Sequence, residues 1–169
     1  MPLRLGYKAS AEQFGPGALA DFAVTADDLG FDTVMVSDHL QPWRHEGGHA
    51  PSAIVWLATV AERTSNVRLG TSVLTPMLRY NPAVVAQEFA TLGALHEGRI
   101  ILGVGAGEAL NETSVGAPYP DNRERFARLR EALRDAVIFD GRNIYPPEDV
   151  EASGIRYYGI GRGRSVQHR

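Results

Sequence analysis

"FDTVMVSDHLQPWRHEGGHAP", residues 31–51, admits two incompatible readings, and the choice between them decides the fold. His45-Glu46-Gly47-Gly48-His49 matches the H-E-x-x-H pattern of zinc hydrolases. That pattern binds metal only on an α-helix, where positions i and i+4 share a face and aim two imidazoles at one ion. Here two glycines fill the middle and Pro51 follows two residues later, a composition that disfavours helix. In the second reading 31–37 is a β-branched strand, apolar on both faces, and 38–50 is a polar loop before a helix that Pro51 opens and that runs through Ala61. A strand apolar on both faces belongs to a parallel sheet covered on both sides. The second reading is preferred, so no metal is expected, and His45 and His49 shape the loop.

The same unit recurs outward from this stretch. Leu3 to Lys8 reads as a strand, and Gly15 to Leu29 as a helix with Leu19, Phe22, Ala23, Ala26 and Leu29 at helical spacing before a capping Gly30. Val67 to Thr75 is the third strand, followed by a helix from Pro82 with Val85, Phe89, Leu92 and Leu95 along one face. Arg99 to Val104 is the fourth strand, and Arg123 to Ile138 an arginine-rich helix with Phe126, Leu129 and Leu133 inward. Four strand-to-helix alternations specify an α/β fold with a parallel sheet and right-handed crossovers. Eight such units closing into a barrel take about 250 residues, whereas this chain has 169. It therefore holds four to five units, either as a small open sheet or as part of a barrel. From 139 to 169 the rhythm breaks: "YPPEDVEASG" is loop composition, and "IRYYGIG" offers one further strand.

Composition removes several chemistries. With no cysteine, disulfides, thiolate nucleophiles and cysteine-ligated metals are excluded. Lys8 is the single lysine, so a phosphate-gripping lysine after a glycine-rich loop is absent and Schiff-base chemistry has one candidate. The net charge of −3 argues against nucleic acid as a partner, and the basic, glycine-rich end "GIGRGRSVQHR" reads as a solvated tail. No run of eighteen apolar residues and no signal-peptide core occurs, so no membrane association is expected and the cytoplasm is the expected location.

Ligands of parallel α/β folds sit beyond the carboxyl ends of the strands. Those positions carry Ser10 and Glu12 after the first strand, Asp38, His39, Trp43 and Arg44 after the second, Ser72 and Thr75 after the third, and Gly105, Gly107, Glu108 and Asn111 after the fourth. Two acids, an imidazole and an indole at one rim suit proton-coupled chemistry. "GVGAGE", 103–108, places its third glycine two residues after the second instead of three, so it is no dinucleotide fingerprint. It does let backbone approach a flat ring closely.

"GYKASAEQF" (6–14), "SDHLQPWRHEGGHAP" (37–51), "LGTSVLTP" (69–76), "RYNPAVVAQ" (79–87), "LGVGAGEALNE" (102–112) and "ERFARLREA" (124–132) together closely resemble the deazaflavin-dependent glucose-6-phosphate dehydrogenases of the bacterial-luciferase-like (β/α) barrel superfamily. The resemblance implies a partial (β/α)8 TIM barrel, with 1–138 forming its first half and 139–169 a divergent tail. It implies coenzyme F420, an 8-hydroxy-5-deazaflavin, taking a hydride from the anomeric carbon of glucose 6-phosphate to give the lactone. By motif, His39 and Glu108 become the proton-transfer pair, with Trp43 and Glu12 lining the reacting centre. Asp38, Thr75, Ala106, Gly107 and Asn111 become cofactor-contacting positions, and Ser72-Val73 a non-proline cis peptide behind the ring. The family's second half grips the cofactor tail and the sugar phosphate, and after Ala132 this chain matches no such element. A shortened chain of low activity alone is the first expectation, and an FMN-dependent luciferase-like monooxygenase the second. The third is a non-catalytic half barrel that self-associates, as a homodimer or otherwise, through open sheet edges.

Overall fold

A computed structural model describes residues 3–133, 137–140 and 145–159. The chain divides into two compact units, 1–117 and 118–169. In the first unit, β1 (Gly6–Ala9), β2 (Thr33–Val36), β3 (Arg68–Thr71) and β4 (Ile100–Ile101) form one sheet in sequence order. Every pairing is parallel, with Lys8 opposite Met35 and Met35 opposite Gly70. Beyond the strands, Leu74 bridges Val104 in the same parallel sense, one residue out of step with the pairing of Gly70 and Ile101, so the register shifts by one residue on the way to the rim.

The crossovers are α1 (Pro16–Asp28), α2 (Ala53–Arg63) and α3 (Pro82–Leu95), and a single helical turn, α4 (Ala109–Glu112), follows β4. Proline at the first turn of α1 and α3 removes an N–H that would lack a partner and presets φ. Ser52 and Asn81 cap α2 and α3 by accepting from Val55 N and Ala83 N. Gly30, at φ 77°, turns the chain out of α1. Ala9, Val34, Val36 and Leu69 point to the helices and are buried with Leu19, Leu57, Val60 and Phe89. Strand residues one position away, Lys8 and Met35 among them, face the other side of the sheet. Phe22, Leu29 and Leu95, all expected on apolar helical faces, are exposed, and Leu29 lies past the end of α1 as its C-cap. Phe22 instead stacks edge-on against Phe14, ring centroids 5.2 Å apart.

The second unit corrects the expected helix over 123–138. That helix, α5 (Asn122–Ala132), starts at an Asp121 cap and ends at Leu133, which is extended. Val137–Asp140 is a strand, β5, and "YPPEDVEASG" is not all loop, because Pro147–Ala152 forms α6. The strand expected in "IRYYGIG" is β6 (Arg156–Gly159), parallel to β5. This unit is thus a βαβ crossover preceded by a helix, and the expected division at 138 falls inside β5. The basic end, from 160 onward, lies outside the described residues.

Candidate active site

The loops beyond β1, β2 and β4 bring the expected residues together. Nδ1 of His39 lies 2.8 Å from Oε1 of Glu12 and 3.9 Å from Oε2 of Glu108. The His39 and Glu12 side chains are nearly buried, whereas Glu108 is 41% exposed. A carboxylate has no proton to give, so the close approach to Glu12 is attractive when Nδ1 carries the hydrogen, which leaves Nε2 with its lone pair. With the imidazole neutral this is a contact of a carboxylate with the ring dipole, and Oε1 is buried without an aligned hydrogen bond. Trp43 packs edge-on against the imidazole, centroids 5.4 Å apart and planes at 81°, while 56% of it remains exposed.

Asn111 ties these loops to one another. Its Oδ1 accepts from Leu40 N at 2.8 Å and Gln41 N at 3.4 Å, and its Nδ2 donates to Glu108 Oε2 at 3.2 Å. Gln41 Nε2 donates to Leu110 O at 2.6 Å, a second tie between the same two segments. One amide therefore fixes the backbone next to His39 and the carboxylate that faces it.

Under this layer lies a buried charge cluster that the sequence did not reveal. Arg79 pairs with Asp38 through Nη2 and with Glu112 through Nη1 at 2.6 Å, and it also donates to Asp38 O at 3.0 Å. Tyr80 donates its hydroxyl to Asp38 Oδ1 at 3.2 Å. The Glu112 side chain is fully buried and that of Asp38 nearly so. Burial pushes the Glu112 carboxyl above the usual carboxylate range, with Arg79 pulling it back, and burial together with Asp38 pushes the Tyr80 phenol up. Asp38 was expected at the cofactor, but both its carboxylate oxygens are occupied by protein donors.

The expected cis peptide is present at Ser72-Val73. Val73 is 46% exposed, and a Cβ on Gly105 would stand 2.5 Å from its Cγ2. Gly107 has φ 91°, where an L side chain is strained, and a Cβ there would meet Leu78 at 2.8 Å and Thr75 at 3.1 Å. Thr75 and Ala106 are buried beside this ledge. At 45–49 the chain bends and turns without helix, Gly47 sits at φ 64°, and a Cβ on Gly48 would overlap Arg44 O at 1.9 Å. The i, i+4 geometry that a zinc hydrolase needs is therefore not made, and His49 N instead donates to Glu12 O at 3.0 Å.

A sequence profile of the luciferase-like monooxygenase family matches residues 1–148. The chain is 72% identical over 148 residues to the F420-dependent glucose-6-phosphate dehydrogenase of Kineococcus radiotolerans, covering 83% of this chain and 44% of that one. Against the enzyme of the same name from Microbacterium testaceum it is 60% identical over 175 aligned positions, 91% of this chain and 52% of that one. The chain thus spans about half the length of the curated relatives it matches. Among solved structures, an F420-dependent secondary alcohol dehydrogenase holding an F420-acetone adduct superposes with a TM-score of 0.75 at 40% identity, over 78% of this chain and 40% of that one. The tetrahydromethanopterin reductase of Methanopyrus kandleri shares the fold at a TM-score of 0.63 and 21% identity, over 94% of this chain and 50% of that one. With the parallel βα units in order and a profile that covers most of its length, the chain belongs to the luciferase-like monooxygenase family.

Proposed function

We propose that this chain carries the ring-binding and proton-transfer part of a dehydrogenase that uses coenzyme F420 to oxidise the anomeric C–OH of a sugar phosphate, glucose 6-phosphate, to its lactone. The observation that carries the reading is His39 held between Glu12 and Glu108 at one rim. What supports a flat ring as the ligand is the half-exposed apolar side chain of Val73, which the missing Cβ of Gly105 lets pack close to the loop after β4. Ser72 and Thr75 would line its edge, and Asn111 and Asp38 would act through the loops they fix. When bound, the deazaflavin supplies a ring that accepts a hydride.

The protein's share is proton handling and alignment. Oxidising an alcohol to a carbonyl requires the hydroxyl proton to leave, and Nε2 of His39 is the lone pair free to take it. Glu12, buried against Nδ1, stabilises the imidazolium that results, as the orienting acid does in any imidazole-based proton transfer. Glu108, half-exposed and held by Asn111, would exchange a proton with the ring, and Trp43 packs edge-on against the imidazole. Within the first unit β1 and β4 are the outer strands, so a second copy or a further segment can pair with either edge.

Incubating the chain with oxidised F420 and glucose 6-phosphate and following loss of deazaflavin absorbance tests the assignment. His39→Ala and Glu108→Gln should each lower the rate about 10²–10⁴-fold. Rates within a factor of two of the unsubstituted chain would refute the pair.

A further inference from the structure

Away from the rim chemistry, the first unit keeps a mostly apolar cleft between α1 and α2, about 380 Å³ in volume and within the size range of small-molecule sites. Its origin is local to the sequence. α1 presents Gly17 and Ala20 to the cleft, and a Cβ on Gly17 would meet no atom within 4 Å, so the space beside it is open. Trp56 of α2 is buried against it, and its Nε1 donates to Pro16 O at 3.1 Å, which fixes the indole. Both helices follow parallel strands, so their first turns lie together at one end of the cleft. There Pro16 and Pro51 stand with Val55, which is 67% exposed.

Arg63, the last residue of α2, is the only charged residue that lines the cleft. Its Nη2 donates to Asp21 Oδ1 at 2.7 Å, which sets the guanidinium beside α1, five residues on from Pro16. Five residues of helix rise by about 7.5 Å, so the apolar stretch between the prolines and the cation is short. A guanidinium carries more N–H donors than one carboxylate oxygen takes. The Arg63–Asp21 pair is also solvent-exposed on both sides, and such pairs contribute little, so a second anion can share the cation at small cost.

We propose that this cleft binds a compact aryl carboxylate, a single ring on a short acid-bearing arm, with the ring against Pro16, Pro51 and Val55 and the carboxylate on Arg63. The single lining charge selects an anion, the apolar walls select the ring, and the short span limits the arm. The site is independent of the dehydrogenase reading, because no residue that lines it belongs to the proton-transfer or ring-binding set.

The test titrates the purified chain with 3-phenylpropionate at pH 7, by calorimetry and by backbone amide NMR shifts. The expected result is saturable binding tighter than about 1 mM, with shifts centred on 16–21 and 51–63. 3-Phenylpropylamine, which brings a cation to Arg63, should bind about tenfold more weakly or not at all. Gly17→Leu fills the open space and should weaken binding of the acid about tenfold, whereas Arg63→Gln should bring the acid down to the affinity of 3-phenylpropan-1-ol. Asp21→Asn, an exposed change that releases the guanidinium, should tighten binding of the acid about threefold, and it reports on the anion site even if Gly17→Leu unfolds the chain. No saturation in a folded sample overturns the proposal, as do equal binding of acid and amine or an affinity that Arg63→Gln and Asp21→Asn leave unchanged. A dimer that buries the cleft and excludes 3-phenylpropionate also overturns it, by making a second copy the occupant.

Discussion

Arg79 shows what single residues contribute that spacing alone does not disclose. It pairs with both Asp38 and Glu112, which come from the loop after β2 and from α4 (Ala109–Glu112), the helical turn beyond β4. Through Asp38, the neighbour of His39, it fixes the loop after β2, which Asn111 also holds through Leu40 N and Gln41 N. Arg79→Met would leave two buried carboxylates facing each other and should cost about 3–5 kcal/mol in urea unfolding at pH 7. Carboxylates buried without a cation have raised folded-state pKa values, so the folded state holds extra protons and its stability falls as pH rises. The variant's deficit should accordingly shrink on acidification, and a deficit below 1 kcal/mol at pH 7 would show that Arg79 is not needed. In the sequence His39 and Glu108 were legible because they follow strands. Arg79 and Tyr80 open the "RYNPAVVAQ" stretch that carries part of the resemblance, but nothing local to them names the acids they pair with, and nothing local to Glu112 marks it as buried.

At the scale of elements, the strand–helix alternation of the first unit was readable because β-branched strands and proline-opened helices leave separate periodicities. The boundary after α5 was not. Leu129, Leu133 and Val137 continue a helical spacing past the end of the helix, while the extended Leu133 and the pairing of β5 with β6 stop it. That pairing is remote in sequence, so no local pattern announces it. A second link joins elements at the opposite end of the strands. Asp27, near the end of α1, accepts from Ser65 N at 2.8 Å, Asn66 N at 3.0 Å and Val67 N at 2.6 Å, locking the turn before β3. Burial would raise its carboxyl, but these three donations outweigh it and hold the group below the usual range. A depressed folded-state pKa gives stability that is complete above the ordinary carboxylate value, about 3.9, and lost as pH falls through the folded value. Asp27→Asn should therefore cost about 1–3 kcal/mol at pH 7 and less at pH 3, by urea titration at both. An equal cost at the two pH values would contradict the assignment.

For the whole molecule, a four-stranded parallel sheet with helices on one face places every expected catalytic side chain at one rim within 1–117, and the relatives continue for about as long again. Contacts between neighbouring loops bring Glu12, His39 and Glu108 together within this unit. A purified sample titrated with oxidised coenzyme F420 and, separately, with FMN, read by ring absorbance and fluorescence, addresses the central claim without requiring turnover. Saturable deazaflavin binding in the micromolar range, about −8 kcal/mol, weakened when Gly107 is replaced by Val and at least tenfold tighter than FMN, is the predicted result. Equal or tighter FMN binding, or no saturation with deazaflavin in a folded sample, would contradict it.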